Sequence, residues 1–498
     1  MDNRTENQFI SEKTEKLLVF ILLFAMFLFM VLNPAHKTFT YDELDWTLKF
    51  VDSGSFFGMI RGLLEWGYNL PLYYSLIFLI FQTGTINEVV YMLPDIIFVV
   101  AGVYGIYYLA RKRLGRIYAL IAFLISVTSG VLVSQGGWKV RPYGMMFCFS
   151  VWTLYLFLKK LDDNSGKNLI RYTIVLLILM YSHWFGTLIA AFYGFADLYF
   201  IFVKKERVQT LIPYVIDVAL FIPWLILMLT THTNKLTDYW ANVPDLNSFV
   251  SAVSYLLNRN KIMVVLFVIC AVLVVIDFVK TRDILVPILF GAVIWVMVTV
   301  FIYSRFVNPD GSLFVNRYFF VIIPHIYLIF TLGLVKIYNL LKPGWQTKLF
   351  WIAFSLIIVS GAFLSYKKAL ENTIADENQY SQAADYIAAN ISSIDDNALV
   401  LTSQGREWVN IYLRHRSDRL PANMARGTEF GNLQYYMKNG EVKDDDSFDK
   451  EELSGYDVIY AFELHKDFSD EIKDLFSDHY EQTGEDGNCN LVIYQKRK

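Results

Sequence analysis

Residues 170–203 read IRYTIVLLILMYSHWFGTLIAAFYGFADLYFIFV, and they decide the fold because they fit either one long helix or two membrane spans. The YSHWFG segment at 181–186 interrupts this apolar run near its middle. Lysine and arginine are enriched in the cytoplasmic loops of membrane proteins. The basic segments RKRLGR at 111–116 and KKER at 204–207 lie on one side of a membrane only if YSHWFG is a turn at the opposite face. The sequence therefore predicts two spans, at 170–184 and 185–203.

The rest of the chain indicates many further spans. The 498 residues are 55% apolar and 17% aromatic, which is typical of membrane proteins rather than of soluble domains. One helix needs about 20 apolar residues to cross ~30 Å of hydrocarbon. On this basis the eleven predicted spans are 17–33, 88–110, 117–134, 143–159, 170–184, 185–203, 210–230, 261–279, 284–303, 318–336 and 349–366. The protein is thus predicted to lie in the cell membrane, with its N-terminus in the cytoplasm and its C-terminal part outside.

Composition changes near residue 366. Up to Tyr366 the chain has 29 basic and 21 acidic residues, and from Lys367 onward it has 15 and 26, so the net charges are +8 and −11. We therefore predict a membrane domain over 1–366 and a small extracytoplasmic α/β domain over 367–498. The helical stretch DENQYSQAADYIAAN and the strand-like ALVLT, YDVIYAF and NLVIYQ support the α/β prediction. No nucleic-acid-binding module or nucleotide-binding loop is visible in the sequence.

The first outer loop, at 34–87, is much longer than an ordinary connection and contains TYDELDW. Asp42, Glu43 and Asp45 place three carboxylates within four residues, directly after a predicted span. Carboxylates so placed can act in general acid–base chemistry, or they can simply cap the following helix. The spacing alone leaves both interpretations open.

Two other outer loops carry cations. The second loop, SQGGWKVRPYG, has Lys139 and Arg141 on the face that is ordinarily poor in cations, and Arg317 precedes the tenth predicted span. The N–H donors of a guanidinium group have a forked geometry that suits hydrogen bonding to the oxygens of a phosphate. The alternative is that these side chains extend along the membrane interface.

Histidines and aromatic residues are further candidates for functional residues in the predicted outer loops. His183 lies in the YSHWFG turn and His36 lies near Asp42, but one histidine with scattered carboxylates falls short of a metal site, so neither a metal nor a cofactor is predicted. Four aromatic residues of the first loop could stack on sugar rings, although an interfacial aromatic belt is the favoured interpretation. They are Trp46, Trp66, Tyr73 and Tyr74.

These motifs, in this order, resemble the bacterial relatives of dolichyl-phosphate-mannose protein mannosyltransferases, which are membrane glycosyltransferases of the GT-C class, family 39-like. The resemblance extends over nearly the whole chain. It is carried by Asp42–Glu43, PLYY at 71–74, Leu93–Pro94, RPY at 141–143, SHWFG at 182–186 and RYFF followed by Pro324. The chain departs from the family where Asn69 and Leu70 precede PLYY and where Trp138–Arg141 replaces a Gln-Glu-Ala-Arg run.

The resemblance implies transfer of a sugar from a polyprenyl-phosphate carrier to an acceptor at the outer face, usually with inversion. The acceptor could be a protein, a lipid or a cell-envelope glycan. In this interpretation Asp42 is the catalytic base and Glu43 positions hydroxyl groups, while Arg141, Arg317 and Lys139 bind the donor phosphate. The expected substrate-binding residues are Tyr41, Tyr73, Tyr143, His183 and Tyr318.

Two other classes of protein compete with this interpretation. A transporter or lipid-carrier flippase would place polar residues near the midplane of the membrane. Of the acidic residues near or within spans, Asp95 and Asp197 are interpreted as boundary residues, and Asp217 is the better candidate for such a role. A noncatalytic membrane scaffold that uses the acidic tail to bind partners is the third possibility.

Overall fold

A computed structural model describes most of the chain. The described residues are 11–33, 39–65, 69–85, 87–205, 207–231, 241–342, 344–375, 379–390, 398–402, 409, 412, 433–435, 456–464, 468, 470–487 and 489–497. They form two compact units. The first comprises Met1–Ala35, Ser55–Ile77 and Val89–Thr373, and the second comprises His36–Gly54, Phe78–Glu88 and Ile374–Lys498. The first unit therefore ends inside a helix that continues to Ala375.

The described part of the chain from 11 to 375 is helical. Its α-helices are α1 Glu12–Leu32, α2 Tyr41–Glu43, α3 Lys49–Val51, α4 Phe56–Glu65, α5 Pro71–Phe81, α6 Glu88–Arg113, α7 Arg116–Val127, α8 Tyr143–Asp162, α9 Gly166–Ser182, α10 Trp184–Lys204, α11 Ile212–Thr231, α12 Leu246–Leu256, α13 Lys261–Thr281, α14 Leu285–Ile302, α15 Ile323–Leu340 and α16 Trp345–Ala375. Three π-helical segments, Leu44–Leu48, Leu132–Gly137 and Tyr303–Val307, interrupt or extend these helices. Two 3₁₀ segments, Val208–Leu211 and Asn316–Ile322, lead into α11 and α15.

Eight helical segments of the described chain are long and apolar enough to cross a membrane. Each coincides with one of the eleven predicted spans, and the prediction of a polytopic membrane protein is confirmed. The other three predicted spans also contain helices. The span at 117–134 is the short α7 followed by a π-helical segment, the span at 170–184 is the 17-residue α9, and the span at 349–366 lies within α16.

The division of the stretch at 170–203 into two helices is confirmed. His183 has extended backbone angles, φ −160° and ψ 146°, between the end of α9 and the start of α10. Its ring Nδ1 accepts the N–H of Phe185 at 3.2 Å, so His183 caps α10. A Cβ on Gly186 would lie 2.2 Å from the carbonyl oxygen of Leu179, and this turn therefore needs glycine there.

Glycine also allows the long helices to approach one another closely. On α6, a Cβ at Gly102 would lie 2.5 Å from the ring of Phe147 on α8. On α15, a Cβ at Gly333 would lie 2.4 Å from the Cα of Cys270 on α13. Small residues at such crossings let helices pack through van der Waals contact, because lipid offers little hydrophobic driving force between them.

Charged side chains are buried inside the bundle of α8 to α11. The Lys160 ammonium is fully buried and donates to the Asp197 carboxylate, which also accepts the Tyr214 hydroxyl at 2.7 Å. Asp217 on α11 is fully buried, and neither of its carboxylate oxygens has a hydrogen-bond partner among the described residues. α8 and α11 enclose Asp197 with a cation and a hydroxyl close to the end of α10, and the interpretation of Asp197 as a boundary residue stays a prediction.

The C-terminal part of the second unit is an α/β fold, as predicted. It contains α17 Gln379–Asn390, β1 Ala398–Thr402, β2 Leu433–Tyr435, β3 Val458–Phe462, α18 Asp470–His479, β4 Tyr480–Asp486 and β5 Leu491–Lys496. The strands form one sheet in the order β2-β1-β3-β5-β4. β1 pairs in parallel with β2 and β3, whereas β5 is antiparallel to β3 and β4.

The strand pairing in this sheet places buried residues of neighbouring strands side by side in its core. Leu401 on β1 lies opposite Ala461 on β3, and both are buried together with Phe476 of α18. The Phe476 ring stacks on Tyr494 of β5 with centroids 4.3 Å apart. α18 therefore covers one face of the sheet and excludes water from it.

Candidate active site

The loop that follows α7 carries two of the predicted phosphate ligands and has an unusual backbone. It begins with the π-helical segment Leu132–Gly137, and π-helical turns are frequent at functional sites. The N–H of Arg141 then donates to the Lys139 carbonyl at 2.8 Å, and the N–H of Tyr143 donates to the Arg141 carbonyl at 2.7 Å. Two consecutive tight turns thus fix the direction in which Arg141 leaves the chain.

Glycines hold this loop against α6 and α8. A Cβ on Gly144 would lie 2.4 Å from the carbonyl oxygen of Gly136 and 3.0 Å from that of Asp95. A Cβ on Gly136 would lie 2.9 Å from Val99. Gly144 is therefore packed against backbone and Gly136 against the Val99 side chain, so a side chain at either position would force its neighbours to move.

Trp138 anchors the same loop to α1. Its indole N–H donates to the Met30 carbonyl at 2.9 Å, its ring stacks on Phe29 at 5.6 Å, and the side chain is buried. Asn258, after α12, supports the beginning of the π-helical segment by accepting the N–H of Val131 at 3.0 Å. Sequence reasoning missed both roles, although Trp138 was noted as a departure from the related family.

Arg141 and Arg317 meet around one tyrosine. The Arg317 Nε donates to the Tyr143 hydroxyl at 3.0 Å, and the Arg141 guanidinium carbon lies 5.9 Å from the centroid of the same ring. Arg141 is buried, with 7% of its surface exposed, and Arg317 is half-buried in the 3₁₀ segment before α15. Two predicted phosphate ligands from separate loops are therefore brought together. Lys139 is half-buried and precedes Arg141 by one tight turn.

His183 and Tyr318 complete this cluster. The His183 ring lies 6.0 Å from Tyr143 and 5.2 Å from Tyr318, and Tyr143 and Tyr318 are 6.2 Å apart, all between ring centroids. Burial, together with the charges of Arg141 and Arg317, lowers the pKa of His183 from its ordinary value of about 6.5 to about 3. The imidazole is therefore neutral at physiological pH. The predicted substrate residues Tyr143, His183 and Tyr318 share one site with both arginines.

Tyr73, another predicted substrate residue, is fully buried, and its hydroxyl donates to the Asp95 carboxylate at 2.5 Å. Tyr74 is also buried, and its ring lies 5.9 Å from that of Tyr73. The interpretation of these two tyrosines as part of an interfacial belt was wrong, because they face the interior. Asp95 accepts this bond from the N-terminal part of α6, and its interpretation as a boundary residue stays a prediction. The substrate-binding role of Tyr73 stays a prediction.

The predicted catalytic carboxylates lie in the second unit. Glu43 is fully buried, and its carboxylate accepts the backbone N–H and the hydroxyl of Thr40 at 2.8 and 2.7 Å. Asp42 beside it is half-buried, so its carboxylate is the more accessible of the two. Glu43 therefore has a local structural role, in line with the capping alternative. The catalytic roles themselves stay predictions.

The remaining predictions have different outcomes. The side chain of Tyr41, the fifth predicted substrate residue, lies outside the described residues, as do His36 and Trp66. Trp46 is half-buried in the π-helical segment Leu44–Leu48. In the described part of the chain, no group of three His, Cys, Asp or Glu side chains could hold a metal ion. The expectation that no cofactor is required stays a prediction.

Comparison with known proteins agrees with the sequence interpretation. The family model for dolichyl-phosphate-mannose-protein mannosyltransferase matches residues 70–228, which include the Tyr143 and His183 segments, and the predicted resemblance is confirmed. No curated protein sequence gives a significant match to the chain.

Solved structures give the same fold. ArnT from Cupriavidus metallidurans bound to undecaprenyl phosphate superposes with a TM-score of 0.60 at 11% identity, over 97% of this chain and 98% of that chain. Its apo form gives 0.59 at 13% identity with the same coverage. An oligosaccharyltransferase from Archaeoglobus fulgidus, in complex with Zn and sulfate, gives 0.50 at 12% identity, over 89% of this chain and 68% of that chain. The predicted GT-C-like fold is therefore confirmed.

Proposed function

We propose that the protein is a membrane glycosyltransferase that moves a sugar from a polyprenyl-phosphate donor to an acceptor at the outer face of the membrane. The observation that carries the proposal is the meeting of Arg141 and Arg317 around Tyr143. Two cations and a phenol hydroxyl at one end of a bundle form a suitable site for a phosphate whose hydrocarbon tail lies in the bilayer. The family match and the fold support the same class of reaction.

The arginines act on the leaving group in this reaction. As the bond between the anomeric carbon and the phosphate oxygen breaks, negative charge grows on the phosphate. Guanidinium groups that are already held in place stabilise this charge without reorganisation, and removal of one such donor costs about 10²–10³-fold in rate. The neutral His183 adds no charge, but it can exchange hydrogen bonds with a phosphate or a sugar hydroxyl.

The acceptor side of the reaction is assigned to Asp42. An acceptor hydroxyl attacks the anomeric carbon, its proton moves to the Asp42 carboxylate, and the phosphate carrier leaves with the bonding electrons. A single displacement of this kind inverts the anomeric centre and needs only one base. Asp42 is preferred to Glu43 because the Glu43 carboxylate already accepts two hydrogen bonds from Thr40.

The proposal is tested with purified full-length protein, a panel of radiolabelled polyprenyl-phosphate sugars and a total membrane extract as acceptor. Turnover of one donor is expected. Arg317→Ala should lower turnover by about 10²-fold or more. Arg305→Ala is the matched control, because Arg305 is an exposed arginine of the neighbouring π-helical segment.

Other outcomes would assign the protein to a different class. Movement of a labelled carrier across vesicles without sugar transfer would identify a transporter. Normal transfer by Arg317→Ala would remove the arginine pair from the mechanism. Normal transfer by Asp42→Asn would remove Asp42 as the base, and the phosphate site would still be testable through the arginines.

A further inference from the structure

A groove of about 860 Å³ lies between α1 and α6, at the end of the bundle where α1 begins and α6 ends. Its deeper wall is apolar and aromatic, with Val19 and Phe27 on α1 and Ile97 and Tyr104 on α6. Its outer end is charged and includes Lys16, Arg111 and Lys112 together with Glu12. The groove therefore joins a charged mouth to an apolar channel.

This groove is separate from the arginine cluster. Trp138, in the loop that carries Arg141, is bonded to Met30 near the other end of α1. An α-helix rises 1.5 Å per residue, so Lys16 and Met30 are about 21 Å apart along the axis of α1. The charged mouth thus lies towards the opposite membrane face from the loop that carries Arg141.

The charged mouth has more cations than anions. Glu12 pairs with Lys16 at 2.8 Å, and the buried Glu15 carboxylate forms ion pairs with Arg116 at 2.5 Å and with Arg111 at 3.4 Å. Lys112 lies over the ring of Tyr108 at 5.7 Å, and no carboxylate of the described residues is within ion-pair distance of it. Three cations that line the mouth therefore face one lining carboxylate, Glu12, and the Glu15–Arg116 pair beside them adds no net charge. This leaves a local charge of +2 for an anionic ligand to neutralise.

The apolar channel has the depth of one lipid leaflet. From Val19 to Phe27 the axis of α1 rises about 12 Å. Half of a hydrocarbon core of ~30 Å is about 15 Å. A hydrocarbon chain lying against the aromatic walls would thus reach the middle of the bilayer while its polar end stayed level with Lys16 and Lys112.

We propose that this groove binds an anionic membrane phospholipid, with its phosphate held by Lys112, Lys16 and Arg111 and one acyl chain between α1 and α6. A zwitterionic lipid carries a cationic group next to its phosphate, so its headgroup neutralises the net positive charge of the groove mouth less well than an anionic headgroup does. Basic pockets between transmembrane helices are a recurrent way of recognising acidic headgroups.

The test is native mass spectrometry of the full-length protein in detergent, titrated with phosphatidylglycerol or with phosphatidylcholine of the same acyl chains. Phosphatidylglycerol should be retained in preference. Lys112→Gln should weaken its binding about fivefold, because each cation near an acidic headgroup contributes about that factor. Lys205→Gln is the matched control, since Lys205 is an exposed lysine outside the groove after α10. It should bind like the wild type.

A second variant tests the channel without changing charge. Ala101 lines the groove on α6, and Ala101→Phe should fill it and lower retention of phosphatidylglycerol while the unfolding temperature without added lipid stays near that of the wild type. Equal retention of the two lipids would overturn the proposal. Equal losses in Lys112→Gln and Lys205→Gln would overturn it as well, and so would unchanged binding by Ala101→Phe.

Discussion

Adding one methyl group at Gly144 should disable the protein by moving the loop that carries Arg141. The new Cβ would lie 2.4 Å from the Gly136 carbonyl oxygen, whereas an ordinary contact is 3.4–4 Å, so the two backbone segments must separate by about 1 Å. Overpacking of this kind costs about 1–3 kcal/mol of stability. A misplacement of about 1 Å in a site can lower a rate by about 10²-fold. Gly144→Ala should therefore lower both the unfolding temperature and the rate of sugar transfer.

The matched control is Gly166→Ala at the start of α9. Nothing lies within 4 Å of a Cβ there, so the substitution should be neutral or stabilising by up to ~1 kcal/mol. Both variants are measured by thermal unfolding in detergent and by transfer from the active polyprenyl-phosphate sugar at saturating donor. If Gly144→Ala matched Gly166→Ala in both assays, the close approach of Gly136 and Gly144 would not govern the geometry of the site.

Three further predictions test other parts of the structure with five substitutions, each measured by thermal unfolding. Glu43→Ala should cost about 1–3 kcal/mol because it removes the acceptor of two buried hydrogen bonds. Asp42→Asn should cost less, because the Asp42 side chain is only half-buried, and a comparable loss in both variants would refute the division of roles. Because the pKa of His183 is lowered in the folded protein, the unfolded chain binds more protons below about pH 6.5, and stability falls from there towards pH 3. His183→Gln should reduce the slope of stability against pH by at most about 1.4 kcal/mol per pH unit. An unchanged slope would contradict the lowered pKa. Asp217→Asn should be neutral or stabilising because the carboxylate lacks a hydrogen-bond partner among the residues that the structure describes. Asp197→Asn breaks a buried ion pair and should cost about 3–5 kcal/mol, and the reverse order would refute this account.

The sequence predicted the membrane helices well because bilayer thickness sets a length that apolar runs must match. It also predicted the break at YSHWFG, since loop charges constrain on which side each connection lies. The helices of the first outer loop were not predicted individually. α4 is only 10 residues long and α5 is 11, and hydropathy cannot distinguish such short amphipathic or buried helices from a loop.

The site was predicted in part. The two arginines, Tyr143, His183 and Tyr318 lie close together, in keeping with the prediction that their loops share one face of the membrane. The supporting contacts were not predicted because they depend on distances between segments far apart in sequence. Nothing in the residue types shows that Trp138 bonds to Met30, or that Asp95 accepts from Tyr73.

The C-terminal fold shows the same limit. Its helix α17 and the strands β1, β3 and β5 were predicted, because each has a clear apolar pattern. β2 is only three residues long, and β4, with the sequence YEQTGED, is largely exposed and polar. Strands of this kind form because a neighbouring strand offers backbone hydrogen bonds. Their own side chains show little of the apolar pattern from which a strand can be predicted.

The ion pair between Lys160 and Asp197 has a consequence for how the chain enters the membrane. A lysine or an aspartate alone at the centre of a membrane helix costs roughly 2.5–3.5 kcal/mol, and less near the helix ends, where Lys160 and Asp197 lie. Asp217, within α11, adds another ionisable group. α8 and α10 therefore pass into lipid more easily as an assembled pair than one after the other. α9 connects them, and α11 supplies Tyr214 to Asp197. During synthesis, α8 to α11 should consequently remain beside the insertion machinery until all four have emerged, and enter the bilayer as one unit.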